Sequence, residues 1–170
     1  MLRIIFFITL FLLPEFAFAN IKVIRDSETE YFLKKISRPI FTQAGLDPES
    51  IAIHIVNDSS LNAFVAGGRN LFINTGLIIS ADSLESLIGV IAHESAHISG
   101  GHLIKLNSQL DNMTTTLAVG YILGIATAIS GSPDVGQALL LGSSHIAERS
   151  ILKFSRNHEE AADEAALQYL

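Results

Sequence analysis

The stretch His93-Glu94-Ser95-Ala96-His97 decides both the fold and the chemistry of this chain. Side chains four apart sit one turn above each other on a single helix face, so both imidazoles can reach one Zn²⁺ at about 2.0 to 2.1 Å. Glu94, next to the first histidine, points beside the metal, where its carboxylate can take a proton from an attacking water and pass it to a leaving amine. The helix around them is legible as well. Asp82-x-x-Glu85 has the spacing of a capping box, and Leu84, Leu87, Ile88, Ile91 and Ser95 follow at intervals of three and four. They predict a long helix from Ser83 to about Lys105, apolar on the face away from the histidines. The plain competing reading is a helix with two surface histidines and an ordinary exposed glutamate.

A catalytic zinc takes three protein ligands and keeps its fourth position open. The chain has no cysteine and six histidines, so the third ligand must be His, Asp or Glu. His102 lies five residues beyond His97, about 140° around a continuous helix, and reaches the same metal only if Gly100-Gly101 breaks that helix. His145 stands in an apolar stretch and reads as a packed or solvent-facing histidine. Glu159, within Ser155-Arg156-Asn157-His158-Glu159-Glu160-Ala161-Ala162-Asp163, would complete a His₂Glu site. Asp163, one turn later on the same face, could accept the other ring N–H of a ligand histidine and fix its tautomer. Taken alone, that segment is an alanine-rich surface helix whose acids suit its amino-terminal end.

Upstream, Ser27-x-x-Glu30 predicts the start of a helix carrying Phe32, Leu33, Ile36, Ile40 and Phe41, with Pro39 inside and Gly45 as its stop. Ile51 to Val56 alternates like a strand, and Leu61 to Ala66 and Leu71 to Asn74 read as two more, flanking Gly67-Gly68. They form a small, mostly antiparallel sheet. An edge strand around Ala66 to Asn74, with Gly67, Gly68 and Asn74, could take extended substrate by β-addition. Downstream, the only formal charge between Asp111 and Glu148 is Asp134, and Gly120-x-x-x-Gly124 is a close-packing pattern for helices. An apolar helical hairpin is expected over 112–146, in shallow membrane contact or packed on the domain rather than spanning.

With 170 residues, 49% of them apolar and 16% charged, one folded domain is expected and intrinsic disorder is excluded. A net charge of −6 leaves no footprint for a phosphate backbone, so no nucleic acid partner is expected. Residues 1–19 have the marks of a signal peptide. Arg3 is basic, Ile4 to Leu13 is apolar but for Thr9, and Ala17-Phe18-Ala19 is a small-x-small cleavage pattern. The run is well short of the roughly 20 apolar residues a spanning helix needs, so cleavage before Asn20 and a periplasmic location are expected.

The histidine motif with His97-Ile98-Ser99-Gly100-Gly101-His102, a charge-poor insert, and then Ser-Arg-x-x-Glu-x-x-x-Asp resembles the family-48 zinc metallopeptidases of the gluzincin clan. Asn62 to Gly68 through Asn74 to Leu77 also resembles the strand pair before that family's active-site helix. The resemblance covers about residues 26 to 170. It implies an α+β, mainly helical zincin-like domain over 20–170, one zinc per chain held by His93, His97 and Glu159, Glu94 as general base, and Asp163 behind a ligand. Ala161 stands where the family usually carries a second acid. Family domains continue past the final helix, so truncation at the carboxy terminus is expected, with any downstream oxyanion-stabilising group missing. The signal peptide points to the periplasmic branch, which takes part in outer-membrane protein quality control. The expected activity is a zinc endopeptidase acting on unfolded or misassembled envelope proteins, alongside the outer-membrane assembly machinery. The rivals are a zinc-bound chaperone or adaptor without catalysis and a metal-free helix bundle.

Overall fold

The computed structural model describes residues 22–170; the predicted signal peptide lies outside them. Helix α1 (Ser27–Gln43) is capped by Asp26, whose carboxylate accepts the Thr29 amide at 2.7 Å. The cap therefore falls one residue before the predicted Ser27, because Asp26 holds the extended backbone a cap needs. Pro39 lies inside α1 without ending it, and Gly45, at φ 71°, follows its end.

Among the described residues four strands make one sheet: β1 (Val23–Ile24), β2 (Ala52–Val56), β3 (Ala63–Ala66) and β4 (Asn70–Asn74), in the order β1-β2-β4-β3. The outer pairings are antiparallel and the central pairing of β2 with β4 is parallel. Gly67 and Gly68, both at positive φ, reverse the chain between β3 and β4, a backbone conformation glycine adopts without steric cost. This order corrects the predicted edge. β4 is an inner strand and β3 is the free one, since β4 is already bonded on both sides. Asn74 is buried at 3% exposure with its amide nitrogen on Ser60 Oγ, so it cannot face an added strand.

Alternation sorts the strand side chains by face. Ile53 and Ile55 lie beside Leu71 and Ile73 on one face, and with Leu33, Ile40 and Phe41 of α1 they form the core. The other face carries a stack of His54, Phe72 and Phe64, with ring centroids 4.8 and 4.9 Å apart. A short helix α2 (Thr75–Ser80) leads into α3 (Leu84–Ser99), capped by Ser83. Leu87, Ile91 and Ala92 of α3 complete the core.

The predicted helix to Lys105 is in fact two. α3 ends at Ser99, Gly101 turns left-handed at φ 61°, and α4 (His102–Ile129) starts afresh. α5 (Pro133–Tyr169) then returns along α4 and reaches α3. The glycine pattern finds its partner here. A Cβ on Gly124 would lie 2.9 Å from the Gly136 carbonyl oxygen, and one on Gly120 would lie 2.3 Å from the Ser143 side chain, so bare Cα atoms set the hairpin's spacing. Among the described residues α4 is long and apolar enough to cross a membrane by length and composition, and most of it is exposed.

Ile91 is 1% exposed, in the core beneath the helix that carries the histidines. Ile91→Ala is expected to cost about 2–5 kcal/mol, from lost burial and the cavity left behind, measured by urea unfolding of the full chain.

Candidate metal centre

α3 has two working faces. Leu87, Ile91, Ala92, Ser95 and Ala96 are buried, while His93, Glu94 and His97 are half-buried on the opposite side. Ser95 satisfies its hydroxyl within the helix, donating to the Ile91 carbonyl at 2.6 Å. Against the histidine face lies α5, whose Ala162 and Ala166 are buried and small enough to let the two helices approach closely. That approach carries Glu159 and Asp163 to the histidines.

Nε2 of His93 and Nε2 of His97 are 3.0 Å apart, and Glu159 Oε2 lies 3.5 Å from the first and 3.8 Å from the second. Three donors held tetrahedrally at zinc bond lengths would be on the order of 3.3 Å apart. Two imidazole nitrogens and a carboxylate oxygen in such a triangle fit a divalent cation in both donor chemistry and size. His93 also meets Asp163, Nδ1 to Oδ1, at 2.9 Å. Glu160 is exposed.

His145 is exposed on α5 and stands outside this group. His102 does approach, because the Gly100-Gly101 turn folds its ring back under α3. Its Nδ1 lies 3.1 Å from Nδ1 of His97, on the side of that ring away from His93, and it is not one of the three converging donors. His158 was not singled out from the sequence. Its ring centroid is 4.2 Å from that of His102 and 4.1 Å from that of Phe154. Its only sequence signal is its place beside Glu159.

A cavity of about 300 Å³ opens over the site, bounded by β3 (Ala63, Phe64, Val65), by Leu103 and Leu106 of α4, and by Phe154 of α5, with Glu94 and the histidines at its floor. Its lining is mainly apolar apart from Glu94, Ser155, Glu159 and the histidines. Burial pushes the Glu94 carboxyl up to about 7, with neighbouring Glu159 adding to the shift and His93 opposing it. Burial lowers His97, and lowers His102 to about 4, so both rings are neutral near pH 7.

Two histidines four apart on one helix, a carboxylate from a second helix and an acid beside the first histidine are the parts of a metallopeptidase site. The chain belongs to peptidase family M48, whose model matches residues 27–170, a family of zinc metallopeptidases. It is 26% identical to the beta-barrel assembly-enhancing protease of Yersinia pestis over 152 residues, 89% of this chain and 31% of that protein. It is 27% identical to the mitochondrial metalloendopeptidase OMA1 of Schizosaccharomyces pombe, covering 84% of this chain and 39% of that one. Against the protease HtpX homolog of Pelodictyon phaeoclathratiforme the identity is 30%, over 83% and 53%. The chain thus spans about a third of the length of the barrel-assembly relative.

Glu94 generates a pH prediction for the zinc-stripped protein. Its folded pKa, about 7, lies above the ordinary carboxylate value of 4.5, so the folded state binds the extra proton between these values and stability falls as pH rises from 4.5 through 7. At pH 8 metal-free Glu94→Gln should be more stable than the parent, by about 3 kcal/mol, with the gap closing below pH 4.5. Denaturant titrations at the two pH values measure it; an equal gap at both would remove the buried-charge explanation.

Proposed function

We propose that this chain is a zinc-dependent endopeptidase that hydrolyses peptide bonds of misfolded or misassembled envelope proteins. The observation that carries the reading is the triangle of His93, His97 and Glu159 at the floor of an apolar cleft, with Glu94 beside it.

His93, His97 and Glu159 hold the metal, and Asp163 accepts the Nδ1–H of His93, so the His93 proton stays off the metal-facing nitrogen. Zinc, when bound, supplies Lewis-acid polarisation of the scissile carbonyl and lowers the pKa of water. Glu94 accepts the proton of the attacking water and delivers it to the departing amine, so one carboxylate serves as base and then as acid. Its apolar surroundings suit that task, because a carboxylate short of water is a stronger base. Substrate lies extended along β3, whose outer edge is unpaired among the described residues. Phe64, Val65, Leu103 and Phe154 then meet its side chains.

Envelope substrates, the outer-membrane assembly machinery as a partner and a periplasmic location after signal cleavage are supported by the names of the barrel-assembly relatives and by the amino-terminal pattern. Membrane contact through 112–146 is supported by the exposed Val119, Tyr121, Ile122, Leu123, Ile125 and Ile129 of α4, on a hairpin whose only charge in that range is Asp134. The contact is peripheral. The chain should float with anionic phospholipid vesicles and be released by carbonate; carbonate-resistant retention would mean that α4 spans.

Activity is tested by separating base from ligand. The parent should digest casein or an unfolded outer-membrane barrel in a chelator-sensitive way. Glu94→Gln should keep zinc and fold while losing at least the 10²- to 10⁴-fold that general-base help provides, and His97→Ala and Glu159→Ala should lose zinc as well. A parent that binds zinc but cleaves nothing would make the chain a zinc-bound adaptor. Cleavage by Glu94→Gln at the parental rate would overturn the mechanism.

A further inference from the structure

His102 has no part in the chemistry above, yet at 9% exposure it is the one titratable residue among the described residues that is buried. Burying an imidazole costs free energy unless its nitrogens are used. The contacts of His97 show what one of them is used for. The two ring nitrogens of His97 face opposite ways, Nε2 toward His93 at 3.0 Å and Glu159 at 3.8 Å, and Nδ1 toward His102 Nδ1 at 3.1 Å.

A neutral imidazole carries one N–H and one lone pair. If Nε2 of His97 is the nitrogen offered to the metal, its lone pair is there and its proton must be on Nδ1. Two ring nitrogens 3.1 Å apart share a single proton, so His97 Nδ1–H donates and His102 Nδ1 accepts, which leaves the proton of His102 on Nε2. The reverse arrangement, with His102 as donor, would move the His97 proton onto Nε2, directly between the ligands. We infer that His102 is a positioning residue that accepts the Nδ1–H of His97 and so holds that ring in the tautomer and plane in which Nε2 faces the metal.

The fold confines the His102 ring to this task from two sides. A Cβ on Gly100 would come within 2.4 Å of its Nε2 and 2.7 Å of its Cδ2, so the bare Cα of Gly100 makes the slot. On the other side stands the ring of His158, itself against Phe154. Gly101 supplies the left-handed turn that brings the ring back. Each ligand histidine thus has its own Nδ1 acceptor: the Asp163 carboxylate for His93 and a neutral imidazole for His97.

The inference rests on the proposed role of His93, His97 and Glu159 as ligands, and its test separates the two. Zinc affinity of the full chain is measured by competition with a chromophoric chelator. His102→Phe keeps a buried ring but removes the acceptor, and should weaken zinc binding about 10- to 100-fold, the usual cost of losing a partner behind a ligand. His102→Asn puts an amide oxygen near the place of Nδ1 and should recover most of that loss. Were the role only packing, the smaller Asn would be the worse of the two. Parental affinity in His102→Phe, or weaker binding in His102→Asn than in His102→Phe, would overturn the inference. Should His102→Phe not fold, ¹⁵N NMR of the zinc-loaded parent decides. A protonated Nδ1 on His97 facing an unprotonated Nδ1 on His102 supports the assignment, and Nδ1 of His97 as the metal-facing nitrogen defeats it. A parent chain that takes up no zinc fails the ligand reading itself.

Discussion

The close approach of α5 to α3 is the constraint on which the site depends. Glu159 must come within ligand distance of two imidazoles that lie more than sixty residues earlier in the chain, and Asp163 must meet the back of one of them. A bulky residue at Ala162 or Ala166 would hold the helices apart, because both are buried. Ser99 Oγ and Tyr169 Oη, 3.0 Å apart, add a polar tie farther along the same pair. On its other side α3 is fixed by the core, since Leu87, Ile91 and Ala92 share one cluster with the sheet and α1. The histidines therefore project from a helix held on both faces, and rigid support is what a metal site requires of its ligands.

Two kinds of acceptor stand behind the two histidines. In the proposed assignment a carboxylate accepts the N–H of His93 and a neutral ring accepts that of His97, so the proposed ligand set gains one negative charge from its surroundings rather than two. The exposed Asp163 keeps much of its hydration, whereas His102 is enclosed and neutral. Placing a carboxylate in the enclosed position would bury a charge at a cost of several kcal/mol unless fully paired. The allocation of charge outside and neutral ring inside follows from that cost.

The hairpin of α4 and α5 is built differently from the rest. Its two arms meet through glycine and serine, at Gly120, Gly124, Gly136 and Ser143, and its large apolar side chains point outward. In the sheet and α1 the same residue types point inward. The cleft is bounded partly by each region, β3 on one side and the root of the hairpin on the other, so movement of the hairpin would change the width of the cleft over Glu94.

Much of this was readable from sequence, because local periodicity encodes what a single element does. The helix bearing His93, Glu94 and His97, the three strand segments around Gly67-Gly68, the apolar hairpin and the candidacy of Glu159 and Asp163 all follow from spacing and residue type. Sequence also stated the condition on which His102 depends, a break at Gly100-Gly101, without deciding it, because glycine permits a left-handed turn and does not compel one. The tertiary structure decided what rests on contacts between distant segments. β3 is the edge strand because β4 is paired on both sides, α3 stops at Ser99 because the chain turns to lay α4 and α5 back across it, and His158 joins the cluster because α5 passes over the start of α4. Periodicity shows which face of an element is apolar; which element comes to cover that face is settled only when the whole chain has packed.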